Sequence, residues 1–230
     1  MDLSYVVTVL IKLIPYALVT LEVVAWSFGL GCLFGGMLAF AKLKGPKAVK
    51  KIAYGYTTVI RCTPFIIMLF LIFYGLPYIF EPIGIDANVL DKKVYTIITM
   101  TMYSASNLSD IFRSAYTSLG KGQSEAAACI GMSGFQTLFR IMLPQVAFIC
   151  IPMVSNVLVS ELQDVSLAFT IGLVDIIGQA KVIDSLGFNI NTLEIYVAAG
   201  LIFWTLALIF EKVLKQIHNY LGEKKKLRIS

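Results

Sequence analysis

The sequence has few of the residues from which catalytic and metal centres are built. It contains one histidine, His218, and four cysteines, Cys32, Cys62, Cys129 and Cys150, with no C-x-x-C pair among them. This set disfavours a zinc site, a structural disulfide or a histidine-based metal centre in the membrane. The serines of the apolar runs have no histidine to activate them, which disfavours an intramembrane hydrolase. A G-x-x-x-x-G-K-[ST] sequence is also missing, so we do not expect the chain to be an enzyme that hydrolyses ATP.

Charge is scarce as well. Charged residues make up 14% of the 230 residues, whereas 58% are hydrophobic. Soluble globular domains contain about a quarter charged residues, so the composition predicts an all-α integral membrane helical bundle. The formal net charge of +5 does not indicate nucleic-acid binding, because the basic residues flank apolar runs instead of forming one stripe. The first apolar run is too long for a cleaved signal peptide.

Long apolar runs predict about five transmembrane helices in a single membrane domain, residues 1–230. A helix needs about 20 mostly apolar residues to cross the hydrocarbon core. The predicted spans are 13–41, 62–80, 94–112, 141–160 and 195–216. The glycine-broken segment 165–180 is too short to cross, so we predict that it is re-entrant or packs near one face. Its backbone then has to be shielded by protein or face water.

Basic residues indicate which ends of the spans lie in the cytoplasm. They cluster after the first span, around the stretch between the third and fourth spans, and after the last span: Lys42, Lys44, Lys47, Lys50 and Lys51; Arg113, Lys121 and Arg140; Lys212, Lys215, Lys224, Lys225, Lys226 and Arg228. Five spans put all three clusters on one side, which the positive-inside rule makes cytoplasmic. The N-terminus is then expected outside, with the loop that carries Glu81, Asp86 and Asp91, and the C-terminus is cytoplasmic.

The stretch EAAACIGMSGFQTLFRIMLPQ, residues 125–145, interrupts the apolar sequence on the predicted cytoplasmic side. Alanine favours helix, and its small side chain lets another surface approach closely. Gly131 is suited to end such a helix, and Pro144 is tolerated in the first turn of the next one. We therefore predict a cytoplasmic helix within 121–134 that offers one charged group, Glu125, to a soluble partner. The alternative is an ordinary amphipathic helix that lies on the membrane.

The order of residues in this stretch follows a known signature. Glu125-Ala126-Ala127 is followed by three residues, Gly131, nine residues and an Ile-x-Leu-Pro that ends at Pro144. This order resembles the signature of permease subunits of ATP-binding-cassette (ABC) importers. The resemblance implies the transmembrane domain of a type I ABC importer, in which this helix docks into a cleft of a cytoplasmic ATPase. The residues implied to couple the permease to the ATPase are Gly122, Glu125, Ala126, Ala127, Gly131 and Pro144.

Other segments resemble the permeases of the polar amino-acid uptake family. RCTP, residues 61–64, stands where Arg-Gly-Thr-Pro is usual, with Cys62 in the glycine position. SDIFR, residues 109–113, has Asp110 where glutamate is commoner. QDVS, residues 163–166, corresponds to a Lys-Asp-Thr-Ser segment. IRCTP and IGLVDIIG are similar, more narrowly, to segments of cystine-type permeases.

The resemblance implies import of a polar amino acid across the bacterial cytoplasmic (inner) membrane, with L-cystine preferred over a basic amino acid or glutamine. The implied partners, besides the lipid bilayer, are an ABC ATPase dimer, a second permease subunit of the same or a different sequence, and an extracytoplasmic amino-acid-binding protein. No cofactor is expected in this subunit, because ATP and Mg²⁺ bind the ATPase in that family. A subunit of an ion-coupled secondary transporter is a less favoured alternative.

Polar residues within spans are costly in lipid and usually face a bundle interior or a cavity. The candidate substrate-path residues are Arg61, Thr63, Pro64, Asp110, Asn156, Asp164 and Ser166. Asp110 and Asp164 could contact the α-ammonium group of a substrate, and Arg61 could contact its carboxylate. Equally, Arg61 and Asp110 could lie at the cytoplasmic ends of spans, and Asn156 could hydrogen-bond to a neighbouring helix.

Two further features concern helix packing and assembly. Gly31 and Gly35 are four residues apart in the first span, a spacing that predicts close packing of another helix. Glu22 interrupts the same span, and we expect it to face a subunit partner or the outer vestibule.

Overall fold

The structure, a computed structural model, describes residues 2–84, 86, 89–187 and 190–227, and over these residues it is all-α. Arg228, which was assigned to the basic tail, lies outside the described residues. The α-helices in chain order are α1 (Leu3–Lys44), α2 (Lys47–Cys62), α3 (Phe65–Phe80), α4 (Lys92–Ser118), α5 (Gly122–Cys129), α6 (Gly134–Thr137), α7 (Leu143–Asp164), α8 (Ile176–Leu186) and α9 (Thr192–Leu227). A π-helical turn, Leu138–Met142, joins α6 to α7, and 3₁₀ segments cover Glu81–Ile83 and Val165–Ile171.

The centre of the bundle is the contact between α1 and α4, which two glycines make possible. A Cβ atom placed on Gly31 would lie 2.3 Å from the Cβ of Ser104, and one on Gly35 would lie 3.0 Å from the Cβ of Leu108. Both pairs advance in the same direction along the chain, so α1 and α4 are parallel. The prediction that these glycines serve close helix packing is confirmed.

The other long helices pack around this pair in alternating directions. α3 is antiparallel to α4, because the ring of Phe65 lies against Tyr103 while that of Phe73 lies against Tyr95. α7 is also antiparallel to α4 and contributes Val146 and Cys150 to a cluster with the last turns of α4. α9 returns parallel to α1, and their first halves share a second apolar cluster with α8.

One end of the bundle therefore gathers the ends of α1, α4 and α9, the start of α7, and α5. We call it the basic end, since it carries Lys44, Lys47, Lys121, Lys212 and Lys215. The opposite end holds the starts of α1 and α9, together with α8.

Among the residues that the structure describes, three helical stretches are long and apolar enough to cross a membrane: Leu3–Lys44, Gly134–Ile171 and Thr192–Gly222. α2 and α3 meet the same criterion only together, and they are bent by 107° at the break between them. α4, which covers the predicted span 94–112, is not among these stretches because it is rich in hydroxyl residues. Those hydroxyl residues are buried against the other helices: Thr96, Thr99, Thr101, Ser104, Ser106 and Ser109. The number of five crossings stays a prediction.

The helix bounds differ from the predicted spans where local chemistry overrides hydropathy. α1 begins ten residues before position 13, where the Asp2 side chain caps it by accepting a hydrogen bond from the backbone N–H of Ser4. The span predicted as 62–80 is broken at Thr63–Pro64, because proline lacks an N–H and drives the preceding residue out of the helical region. The segment 165–180 forms the 3₁₀ turn, a left-handed residue at Gly172 with φ of 83°, and the start of α8.

Candidate functional site

The predicted coupling helix is α5, and Gly131 ends it as expected. Gly131 has a φ of 77°, and its N–H donates to the carbonyl of Ala128. The N–H of Met132 donates to the carbonyl of Ala127 at 3.0 Å. This pair of bonds is the Schellman arrangement, which uses a left-handed residue to close a helix.

Only one residue of α5 is buried. Ala127 is 2% exposed, whereas Gly122, Glu125 and Ala126 are exposed. Ala127 therefore marks the inner face of the helix, and Glu125, two residues earlier, lies on the opposite, exposed face.

Sequence reasoning missed an apolar patch beside α5. Ile130 and Phe135 are 76% and 70% exposed, and the ring of Phe135 lies 4.4 Å from that of Phe139. The signal was present in the sequence as large apolar residues on both sides of Gly131, but the prediction for this stretch used only its alanines, its glutamate and its glycine.

Pro144 lies in the first turn of α7, as predicted, but the helix does not begin there. α6 starts at a capping box formed by Ser133 and Gln136, and the π turn leads from it directly into α7. In that turn the N–H of Leu143 donates to the carbonyl of Leu138. The wider turn gives room to the proline ring, which in a regular α-helix meets the carbonyl four residues earlier.

Two of the candidate substrate-path residues, Arg61 and Asp110, pair with each other towards the basic end. The Arg61 guanidinium donates to Asp110 Oδ2 at 2.8 Å, and Lys42 Nζ donates to Asp110 Oδ1 at 2.8 Å. Lys42 also donates to Ser109 Oγ at 2.8 Å, and its side chain is fully buried. Arg113 Nε lies 3.8 Å from Asp110 Oδ1. The Asp110 carboxylate is thus engaged by basic groups from α1, α2 and α4.

Thr63 and Pro64 form the break between α2 and α3. The Tyr103 hydroxyl of α4 donates to the carbonyl of Thr63, which the break leaves without a helical partner. The hydroxyl of Thr63 donates to the carbonyl of Val59 at 2.8 Å. Pro64 is exposed. The break is therefore tied to the middle of α4.

Asp164 is the last residue of α7, and its carboxylate is unlike that of Asp110. Over the residues that the structure describes, it makes no side-chain hydrogen bond and no ion pair, and it is partly exposed. Asp164 is therefore a candidate whose carboxylate is left unpaired by the described residues, unlike that of Asp110.

The two remaining candidates also lie near the end of α7. Ser166 donates its hydroxyl to the carbonyl of Gln163 at 2.5 Å. Asn156 is exposed and lies on the same helix, about two turns before Asp164. The described residues contain no group of three or more histidine, cysteine or acidic side chains arranged to hold a metal ion.

Sequence reasoning also missed Glu161. Its side chain accepts hydrogen bonds from Ser27 Oγ of α1, at 3.0 Å, and from Ser104 Oγ of α4. Glu161 is 5% exposed. Its partners are 134 and 57 residues away in the chain, so no local pattern could have identified this contact.

Comparison with known proteins finds related chains over most of the sequence. The family described as binding-protein-dependent transport system inner membrane component matches residues 29–219. The chain is 34% identical to the L-cystine transport system permease protein TcyL of Bacillus subtilis, with 86% of this chain and 82% of that protein covered. It is also 34% identical to the histidine/lysine/arginine/ornithine transport system permease protein HisQ of Salmonella typhimurium, with 70% and 72% covered.

A solved structure shares the fold. The structure titled "Crystal structure of an amino acid ABC transporter with histidines" has a TM-score of 0.79 and 24% sequence identity, with 96% of this chain and 99% of that chain covered.

The matched region, residues 29–219, includes α5, the break between α2 and α3, and the end of α7. Its apolar helices are those of a multi-pass inner membrane protein. Permeases of this kind are not enzymes, and a separate ATPase subunit hydrolyses ATP. The chain belongs to the family of inner membrane components of binding-protein-dependent transport systems, the permease subunits of ABC transporters.

Proposed function

We propose that this permease subunit imports a polar amino acid and that its substrate is L-cystine. The relative TcyL, an L-cystine permease by name, supports the choice, as do the IRCTP and IGLVDIIG segments. A basic amino acid is the second candidate, because HisQ is equally identical over its matched part. Glutamine is a third candidate, from the family resemblance.

In this proposal the chain crosses the membrane about five times, with its basic end in the cytoplasm and its N-terminus outside. The alternating directions of α1, α3, α4, α7 and α9 support this topology, as does the clustering of lysines at one end. The segment Val165–Ile171 and α8 then lie on the opposite side without crossing.

The outward face of α5 is the proposed contact with the ATPase. Glu125 is its charged group, Gly122 is its first residue, Gly131 follows its end, and Ala127 is its buried residue. Two ATPase subunits that close on ATP and Mg²⁺ would move this helix together with the bundle. Such a device needs two states that the nucleotide favours unequally, here an inward-facing and an outward-facing permease.

The proposal also includes a second permease subunit, identical or not, and an extracytoplasmic binding protein that delivers the amino acid. Asn156, Ser160 and Gln163 are exposed on one face of α7. A polar face within a span is costly in lipid, so this face supports an aqueous path shared with a second permease.

The observation that carries the substrate proposal is the unpaired carboxylate of Asp164. An amino acid presents an α-ammonium group, and a partly buried carboxylate without a basic neighbour is its natural acceptor. Asp110 is less suited, because Lys42 and Arg61 already engage both of its oxygens. Arg61 is proposed to bind the substrate carboxylate as well as Asp110, because its side chain is 54% exposed.

The test uses the purified complex of the permease with its ATPase, without the binding protein. L-cystine, L-arginine, L-histidine and L-glutamine are compared for their stimulation of ATP hydrolysis. L-cystine is expected to stimulate at the lowest concentration, and an outcome in which only another amino acid stimulates overturns the choice of cystine.

The contact is tested with Asp164→Asn, which removes the charge but keeps the size. We expect the half-stimulating concentration to rise about tenfold, the order expected for the loss of one hydrogen bond to a charged group. Asp184→Asn is the matched control, because Asp184 accepts a hydrogen bond from Thr192 Oγ1 at 2.7 Å and belongs to α8, not to the end of α7. An unchanged substrate dependence in Asp164→Asn removes this residue from the site.

A further inference from the structure

Glu161 joins three helices at the middle of the bundle. Its side chain, on α7, takes a hydroxyl hydrogen bond from Ser27 of α1 and another from Ser104 of α4. Ser27 and Ser104 are 0% and 1% exposed. A carboxyl group is thus held in the protein interior by hydroxyls of two different helices.

The close contact of α1 with α4 creates the place that Glu161 fills. Ser104 is also the residue that meets Gly31, where a Cβ would lie 2.3 Å from the serine Cβ. Because glycine lets α4 approach there, the hydroxyls of Ser27 and Ser104 both reach the same carboxyl group. Glu161 has no ion-pair partner among the residues that the structure describes.

A buried carboxyl group is costly in a membrane protein. Its presence therefore indicates a role that an apolar residue cannot fill. Leucine at this position would pack without the cost but would allow α7 to rotate or slide against α1 and α4. Two directed hydrogen bonds to two helices fix both the rotation and the depth of α7. The position of the next turn of α7 follows from them.

That next turn contains Asp164. It follows Glu161 by three residues, the spacing that puts two side chains one turn apart on a helix. α7 ends at Asp164, and the following Val165 is fully buried in the core with Leu162. The direction of the Asp164 carboxylate therefore depends on how the last turn of α7 is held.

We propose that Glu161 is a positioning residue for substrate recognition: its hydrogen bonds to Ser27 and Ser104 hold the end of α7 so that Asp164 faces the α-ammonium group of the amino acid. The proposal rests on the proposed function, in which Asp164 contacts that group. Glu161 itself does not touch the substrate.

The experiment measures selectivity for the α-ammonium group, which loss of folding alone does not change. In the permease–ATPase complex without binding protein, the half-stimulating concentration of L-cystine is compared with that of 3,3′-dithiodipropionate, the same molecule without its amino groups. Should L-arginine or L-glutamine prove to be the stimulating amino acid, the corresponding acid without the α-amino group replaces the dithiodipropionate. The ratio of the half-stimulating concentration of 3,3′-dithiodipropionate to that of L-cystine reports the ammonium contact, and it falls when that contact is lost.

Four variants separate positioning from stability. Glu161→Leu is expected to lower the ratio about tenfold, as Asp164→Asn does, and Ser27→Ala about threefold, because one hydrogen bond remains. Glu161→Gln keeps an oxygen that accepts from a serine hydroxyl and is expected to stay within about threefold of the wild type. The double variant Glu161→Leu/Asp164→Asn is expected to match Asp164→Asn alone, because both changes remove the same contact.

Thr99→Val is the matched control for a lost buried hydroxyl. Thr99 is fully buried on α4, but it donates within its own helix, to the carbonyl of Tyr95 at 2.9 Å. The concentration ratio of the Thr99→Val variant is expected to equal that of the wild type.

The outcomes distinguish the two proposals. If Asp164→Asn lowers the ratio while Glu161→Leu and Ser27→Ala leave it unchanged, Glu161 is not a positioning residue and the substrate contact stands. If Asp164→Asn leaves the ratio unchanged, the substrate contact is wrong and the role of Glu161 falls with it. Should Glu161→Leu fail to assemble, Ser27→Ala decides, because it removes a single oxygen atom.

Discussion

Arg61 donates to Asp110 through Nη1 and Oδ2, 2.8 Å apart, and this ion pair fastens the break between α2 and α3 to α4. The other carboxylate oxygen of Asp110 accepts from Lys42, also at 2.8 Å. One carboxylate, in the last third of α4, thus connects that helix with the end of α1 and the end of α2. The two basic partners differ in burial, since the Lys42 side chain is fully buried and that of Arg61 is 54% exposed.

This difference in burial predicts unequal effects of mutation. Asp110→Ala leaves the buried Lys42 ammonium without its anion, and we expect it to lower the free energy of unfolding by about 3 kcal/mol. Arg61→Ala is expected to cost less than about 1 kcal/mol, because an exposed ion pair contributes little. Thermal unfolding of the purified complex measures both.

The double variant Lys42→Met/Asp110→Ala supplies the control. It removes the unpaired charge together with its partner, so the melting temperature is expected to recover most of the loss. Equal destabilisation by Asp110→Ala and Arg61→Ala would show that the burial of Lys42 does not govern this cluster.

The approach of α1 to α4 gives a second prediction. Gly31→Ala places a methyl group 2.3 Å from the Ser104 Cβ, so the helices have to separate, at a cost of about 1–3 kcal/mol. Gly29→Ala is the matched control on the same helix, because nothing lies within 4 Å of the added Cβ. Alanine is also the better helix former by about 1 kcal/mol, so Gly29→Ala is expected to leave the melting temperature unchanged or higher.

Thermal unfolding of the two variants in the same detergent checks this pair. A lower melting temperature for both, by the same amount, would mean that glycine flexibility and not the closeness of α4 decides stability here.

Features of the fold that depend on neighbouring residues could be predicted from the sequence. The end of α5 at Gly131 is one example, because a left-handed residue after an alanine-rich helix is a local preference of glycine. The small-residue spacing of Gly31 and Gly35 is another, since it is visible within one helical turn. The long apolar runs likewise identified α1, α7 and α9, though not their bounds.

Features that depend on distant residues could not be predicted in the same way. Pro64 was visible, but the proline alone does not decide between a kink and a bend of 107°. At the bend the Thr63 carbonyl accepts a hydrogen bond from the hydroxyl of Tyr103, which lies 40 residues later in the chain. α4 reads as a weak span because its hydroxyl residues are polar, and only the packed bundle shows that they are buried.

The proposed contact of α5 with the ATPase gives the third prediction. Glu125→Arg reverses the charge of the exposed face of α5, and Gly131→Val forces a β-branched residue into a left-handed conformation with φ of 77°. Neither residue faces the interior of the bundle, so both variants are expected to insert and assemble normally. The amount of amino acid transported per ATP hydrolysed is expected to fall about tenfold, which is the factor that a typical coupling free energy between two sites produces.

Gly84→Val separates this effect from backbone strain alone. Gly84 has a φ of 75°, nothing lies within 4 Å of its added Cβ, and it follows α3 at the end opposite α5. The local conformational cost is therefore the same, while the face of α5 is untouched. Uptake into proteoliposomes and ATP hydrolysis are measured in parallel for the three variants. Because strain is matched, a loss of coupling confined to Glu125→Arg and Gly131→Val assigns the effect to the α5 surface. Normal coupling in both of these variants would mean that the force of ATP binding reaches the bundle by another route.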